Sequence, residues 1–249
     1  MIRAMHFRMA LFCFGFPVMA FAGGLPDMRP ALVGSAPNSL VNLIDTQALM
    51  KRGVQHGAVL FRCLVHPSGS TAYRIAYGGT PDSEALRLEV KDKLYPAKFI
   101  PAVYNHHNTY AWFYGTVTFS VINGKPHLRV YANQEKTQLA EGADFVGPQS
   151  IYIATHTYDP RPRMKEAFGT WALQDIPGTV DLELTVPVNG GQLKEVHVLN
   201  ENPPGKNYGE YATGVLKEFT WLPAYKNGRP AEVPTHLTFT FLPRDWYWK

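Results

Sequence analysis

The chain has 249 residues, 45% of them hydrophobic and 18% charged, and a net charge of +4. That composition suits a folded chain with one large core or two small ones, and a charge so near balance gives no support to nucleic acid or an anionic membrane as the partner. Two cysteines, Cys13 and Cys63, offer no disulfide framework.

Taken in order, Arg3 and Arg8 precede the apolar run MALFCFGFPVMAFA, which closes on Ala20, Phe21 and Ala22. This layout predicts a secretory signal peptide over residues 1–22, cleaved after Ala22. Pro17 and the small residues at the end of the run argue against an uncleaved anchor. Cleavage removes Arg3, Arg8 and Cys13, which leaves 22 basic and 20 acidic side chains and Cys63 as the sole thiol. The expected location is periplasmic or otherwise exported, with no stable membrane insertion after cleavage.

Residues 23–45 carry Pro26, Pro30 and Pro37 and read as an extended arm, with a short helix following from Asp45. A first module is predicted over 46–133. Its strand at 58–66 buries Val59, Phe61, Cys63 and Val65 on one face, turns at Pro67-Ser68-Gly69 and returns at 72–77. A helix then opens with Thr80 as cap and Pro81 in first position, and Leu86, Val90 and Leu94 share one of its faces. After Phe99-Ile100-Pro101-Ala102 comes a strand at 115–122. Asn123-Gly124 is a hairpin signal, and a fourth strand follows at 127–132.

Residues 134–170, with Pro148, Pro160 and Pro162, read as a semi-rigid connector carrying one short strand at 150–154. A second module is predicted over 171–249. Here the strand at 179–186 sets Asp181, Glu183 and Thr185 opposite Val180, Leu182, Leu184 and Val186, and the return runs over 193–199. Tyr208, Tyr211, Ala212, Val215 and Phe219 trace a helical stripe, which Gly209 and Gly214 each weaken by about 1 kcal/mol. Trp221-Leu222-Pro223-Ala224 follows, then a final strand at 235–242.

The two halves repeat. GAVLFRCLVHPSG, from Gly57, matches GTVDLELTVPVNG, from Gly178, at an offset of 121 residues, and FIPAVYN matches WLPAYKN at an offset of 122. The predicted fold class is therefore α+β: two small strand-strand-helix-strand modules, each with one helix packed on a mainly antiparallel sheet.

The succession of alternating strand, glycine turn, second strand, helix, aromatic-x-Pro-Ala, N-G-R-P and final alternating strand resembles the C-terminal domain of TonB family energy-transducing proteins. The match is clearest in the second copy, where FTWLPAYKNGRP follows the helix. The resemblance implies binding of a protein or peptide strand, an outer-membrane transporter segment in that family, by addition to a sheet edge. Carried onto this sequence, the partner-binding residues are His236, Leu237, Thr238, Phe239, Thr240 and Phe241. The family's membrane helix and long Pro-rich spacer have no counterpart here, so the resemblance implies the binding module without its usual drive.

No G-x-S-x-G, Walker or dinucleotide fingerprint occurs, so neither catalytic residues nor a cofactor are assigned. The pair His106-His107, with His56, His66 and His127, lacks the spacing of a metal site, and surface loop histidines are the favoured reading. Cys63 is expected to pack as a small hydrophobe. The aromatic cluster 110–114 and the tail Trp246-Tyr247-Trp248 suit either partner anchors or core caps. A second reading is a structural or assembly protein of the envelope whose modules pair with each other, and a third is an envelope metal-binding protein or enzyme.

Overall fold

The computed structural model describes residues 24–134, 136–140, 142, 144–152, 167–168, 171–174 and 176–243. The leader expected at 1–22 and the aromatic tail 246–248 lie outside them. No helix among the described residues is long and apolar enough to cross a membrane. The fold is mixed α+β with mainly antiparallel sheets.

The arm is built into the structure. β1 (Met28–Arg29) pairs antiparallel with β4 (Ala102–Tyr104), and Leu32 bridges to Ile100. Two short helices follow, α1 (Leu40–Leu43) and α2 (Thr46–Lys51), the second capped by Asp45, whose Oδ1 accepts from the Ala48 amide at 2.8 Å.

β2 (His56–Val65) and β3 (Thr71–Gly79) form the expected hairpin. α3 (Glu84–Leu94) starts later than the sequence predicts: Asp82, at φ 64°, takes the left-handed conformation and stops the helix from running back to Pro81. Thr80 does not cap the helix. Its Oγ1 accepts from the Ala58 amide at 3.0 Å and ties the helix entry to β2. Leu86, Val90 and Leu94 are fully buried against Val59, Phe61, Cys63 and Val65. Burial pushes the Cys63 thiol well above its ordinary range, so it is an inert core residue.

β5 (His107–Ile122) pairs with β2 over residues 111–120, and β6 (Lys125–Tyr131) returns along it after Asn123-Gly124, both at positive φ as a type I′ turn requires. The segment read as a connector is structured where it is described: α4 (Lys136–Ala140), β7 (Phe145–Val146) and β8 (Gln149–Tyr152), then β9 (Ala167–Phe168) and β10 (Trp171–Gln174).

The second half has β11 (Gly178–Thr185), β12 (Glu195–Asn202), α5 (Tyr208–Lys217), β13 (Thr220–Leu222), β14 (Ala224–Lys226), β15 (Arg229–Ala231) and β16 (Thr235–Pro243). Its sheet runs β12-β11-β16-β10-β9, and the order β12-β11-β16 corresponds to β3-β2-β5. The register corresponds as well. Gly57 faces Phe119 and Val59 faces Val117 in the first half; Gly178 faces Phe241 and Val180 faces Phe239 in the second. The tight turns recur too, Asn105-His106 between β4 and β5 and Asn227-Gly228 between β14 and β15, all four at positive φ.

One difference separates the halves. β5 is a single strand of 16 residues, whereas its counterpart is divided into β15 and β16, with Pro230 and Pro234 removing two backbone donors near the break.

Nor do the halves stand apart. β8 pairs with β5 on one side and with β13 on the other, and β7 pairs with β14. Along β13, Trp221 enters the core of the second half while Leu222, fully buried, enters that of the first. Strand alternation explains this: consecutive side chains point to opposite faces, and here each face meets a different core.

Candidate functional site

β16 carries the six residues that the resemblance assigns to partner binding, and alternation divides them. Phe239 and Phe241 are buried, with the Tyr208 ring stacked on Phe241 at 4.0 Å and Tyr211 edge-on to it at 5.8 Å. Leu237 packs half-buried on the same core. His236 and Thr238 are exposed on the opposite face, where Thr238 Oγ1 donates to Asp181 Oδ1 at 2.8 Å and His236 Nε2 lies 3.1 Å from Glu183 Oε2. Only part of this set can meet a partner through side chains; the remainder can offer its backbone alone.

The sequence suggests a free edge along the whole strand. The structure shortens it. β11 occupies one side of β16, and β10 pairs in parallel on the other, with Trp171 opposite Thr240 and Gln174 opposite Pro243. Along residues 235–239 no strand pairs on that second side among the described residues. β9 pairs antiparallel with β10, with Phe168 opposite Trp171.

The border strand β12 exposes Val198 and Leu199, 47% and 54% accessible. It is a poorer acceptor for an added strand. Between the pairs Asp181–Asn200 and Leu182–Val198 the register slips, leaving Leu199 unpaired, and such a bulge interrupts the even row of backbone groups that strand addition uses.

A cleft of about 820 Å³ lies between the outer face of the second sheet and that of the first. The first half contributes Leu60, Arg62, Ile75 and Tyr77 among others; the second contributes Asp181 and Leu182 of β11, Leu199 and Asn200 of β12, and residues 235–238 and Thr240 of β16. The wall of the first half is rigidly held. Tyr77 donates from its hydroxyl to Gln134 Oε1 at 2.7 Å, and Gln134 Nε2 donates to the carbonyls of Phe61 and Gly115 at 2.7 and 3.1 Å. Burial raises the Tyr77 pKa, with Arg62, whose guanidinium lies 5.8 Å from the ring centre, acting against the rise. At the floor, Asn133 Nδ2 reaches the Phe145 carbonyl at 3.4 Å while its buried Oδ1 has no hydrogen-bond partner among the described residues. At one end, Gln138 Nε2 donates to Thr235 Oγ1 at 3.3 Å and joins the segment between the halves to the start of β16.

Sequence reasoning missed Gln134 and Gln138. Both fall where the pattern reads only as a connector, and an amide in a loop carries no signal of the carbonyl it will meet.

The histidines are scattered. His56, His107 and His127 are exposed, His66 packs edge-on to Tyr110 at 4.8 Å, and His106 occupies a turn with Nδ1 2.8 Å from the Leu25 carbonyl oxygen. Among the described residues no three His, Cys, Asp or Glu side chains are grouped to hold a metal ion. The arrangement offers backbone pairing and contact surface. In comparisons with known proteins, no family model, no curated protein and no solved structure matches the chain.

Proposed function

We propose that this is an exported, non-enzymatic, periplasmic protein-binding protein made of two TonB C-terminal-like modules, which takes up an extended segment of a partner by addition to β16. The first module spans residues 46–133 and the second 171–249. The segment is of the kind that outer-membrane transporters present, which links the protein to transport across that membrane.

The observation that carries this reading is the incomplete pairing of β16. Among the described residues, strand pairing of 235–239 is to β11, and an extended peptide satisfies backbone groups at a strand edge without further chemistry. The equal registers Val59–Val117 and Val180–Phe239 support a common origin of the two modules.

Hydrogen exchange tests the proposal. Synthetic periplasmic segments of outer-membrane transporters, titrated into the protein, are expected to slow exchange of amides within 235–239. Unchanged exchange throughout the series removes the strand-addition reading.

A second reading, an envelope structural or assembly protein whose modules pair with each other, is favoured by β8, which joins β5 to β13. It expects no peptide response and loss of fold when β8 is disrupted.

A further inference from the structure

We propose that the edge of β4 remote from β5 is a strand-accepting site, which the protein's own N-terminal arm fills in this structure and which an extended partner segment containing Pro-Ala or Pro-Gly takes over. The site does not depend on β16. The two halves show one arrangement with different occupants. In the first, Met28 faces Tyr104, Arg29 faces Val103 and Leu32 faces Ile100. In the second, Phe145 faces Lys226, Val146 faces Tyr225 and Gln149 faces Leu222. Ile100, Val103 and Tyr104 match Leu222, Tyr225 and Lys226 at the offset of 122 residues that relates FIPAVYN to WLPAYKN, so residues 28–32 and 145–149 hold corresponding edges in one register. Their sequences, MRPAL and FVGPQ, share no residue at any matching position. An edge that takes both reads backbone rather than side chains.

The arm is held mainly by its backbone. Leu32 exchanges both of its hydrogen bonds with Ile100, at 3.0 and 2.8 Å. Neighbouring residues of a strand turn their backbone groups to opposite edges, and on the other edge Ala31 meets the Gln149 side chain: its amide donates to Oε1 at 2.8 Å, and Nε2 donates to its carbonyl at 3.0 Å. A single buried amide thus stands in for a neighbouring strand. From the second half, the Tyr225 hydroxyl donates to the Met28 carbonyl at 3.0 Å. Arg29 adds a side-chain bond, from Nη2 to the Pro101 carbonyl at 2.9 Å. Steric selection falls on Pro30 and Ala31, both buried and Ala31 completely, so a larger residue in the place of Ala31 overpacks the core.

Of the two occupants, the arm is the one that can leave. Residues 145–149 run into β8, which pairs with β5 on one side and β13 on the other. The arm joins α1 through residues 35–38, which are exposed. Tethering keeps it over β4 at an effective concentration of about a millimolar, so a partner segment must overcome that competition and the arm sets the threshold for binding.

The test uses the full-length chain with a protease site inserted between Ser35 and Ala36, cut after folding, and a fluorescent peptide of residues 24–33 as the probe. The cut protein is expected to exchange its arm for the probe one to one, with slower hydrogen exchange at Ile100 and along β4, while the uncut chain binds about tenfold more weakly or worse. A probe carrying Ala31→Leu, or methylated on the Ala31 amide, should bind about tenfold more weakly. A probe carrying Met28→Phe and Arg29→Val, the residues of the second half, should stay within about fivefold, and a larger loss overturns recognition through the backbone. A cut protein that keeps its own arm against excess probe, or that unfolds on cutting, makes the arm a fixed part of the fold and overturns the site. So does a probe that protects 235–239 in place of Ile100 and β4.

Discussion

Gly69 lies against the backbone of Phe99, whose amide donates to the Gly69 carbonyl at 2.9 Å. The second half repeats the contact as a two-way pair between Gly191 and Trp221, at 2.7 and 2.9 Å. In each half the turn of the first hairpin is thus fastened to the chain leaving the helix. This gives the paired motifs, glycine turn and aromatic-x-Pro-Ala, a joint physical reason: a side chain at Gly69 would fall on the Phe99 carbonyl oxygen, and one at Gly190 would lie 2.8 Å from that of Trp221.

Gly69→Ala is expected to destabilise the protein by about 2 kcal/mol or more, since it combines a left-handed backbone with that collision. Gly124→Ala shares the positive φ but meets nothing within 4 Å, and should cost only about 1 kcal/mol. Urea unfolding of the two variants checks the difference; equal losses would mean that conformation alone decides.

The helical glycines separate in the same way. Gly214 has open space around it, so Gly214→Ala should stabilise by up to about 1 kcal/mol. A side chain at Gly209 would come within 2.9 Å of Val198, and Gly209→Ala should destabilise although it improves helix propensity. Thermal melts showing the same sign for both variants would contradict the close approach of α5 to β12.

Glu201 ends the strand before α5 and caps that helix from outside it. Its Oε2 accepts from the Gly209 amide at 3.1 Å and its Oε1 from the Lys206 amide at 2.8 Å. These bonds, the one from Gly209 foremost, hold its carboxyl below the usual value of 4.5 against the opposing effect of burial. A lowered folded-state value stabilises above 4.5, and the contribution disappears as pH falls through the folded value. Glu201→Gln should therefore melt lower than the parent at pH 7 and approach it as pH drops below 4.5. A gap that stays constant from pH 7 to pH 3 would assign the loss to packing instead.

Leu222→Ala removes a residue of the second half from the core of the first. A loss of about 2–5 kcal/mol is expected, as for other fully buried leucines. Native-state exchange should show faster opening in β2 and β5 as well as around β13. Opening confined to 208–243 would mean that the halves unfold independently.

Much of the fold is legible in the sequence because strand and helix periods are local. Val59, Phe61, Cys63 and Val65 alternate with outward residues, Leu86, Val90 and Leu94 recur at helical spacing, and Asn123-Gly124 encodes a two-residue turn. All of these read correctly. The start of α3 did not, because Thr80-Pro81 fits a helix entry equally well until Asp82 takes a left-handed conformation that no pattern reveals.

The candidate site was less legible. The alternation of residues 235–242 announces a strand, but which neighbours flank it depends on segments distant in the chain. β10 lies more than 60 residues before β16, and its short stretch of backbone pairing leaves no periodic trace in the sequence. The wall formed by Leu60, Ile75 and Tyr77 is hidden for the same reason: these residues occupy the outward face of their own hairpin, which by itself reads as solvent-facing.

By itself, the sequence determined that two stretches of this chain bury apolar residues in the same order and turn at corresponding glycines, since hydrophobic period and backbone freedom are properties of adjacent residues. Only the tertiary structure decided that the stretches share a seam through β8 and β13, and that a cleft remains where their outer faces meet. Backbone donors and acceptors pair with whatever strand lies alongside, and that choice is made by packing across the whole molecule.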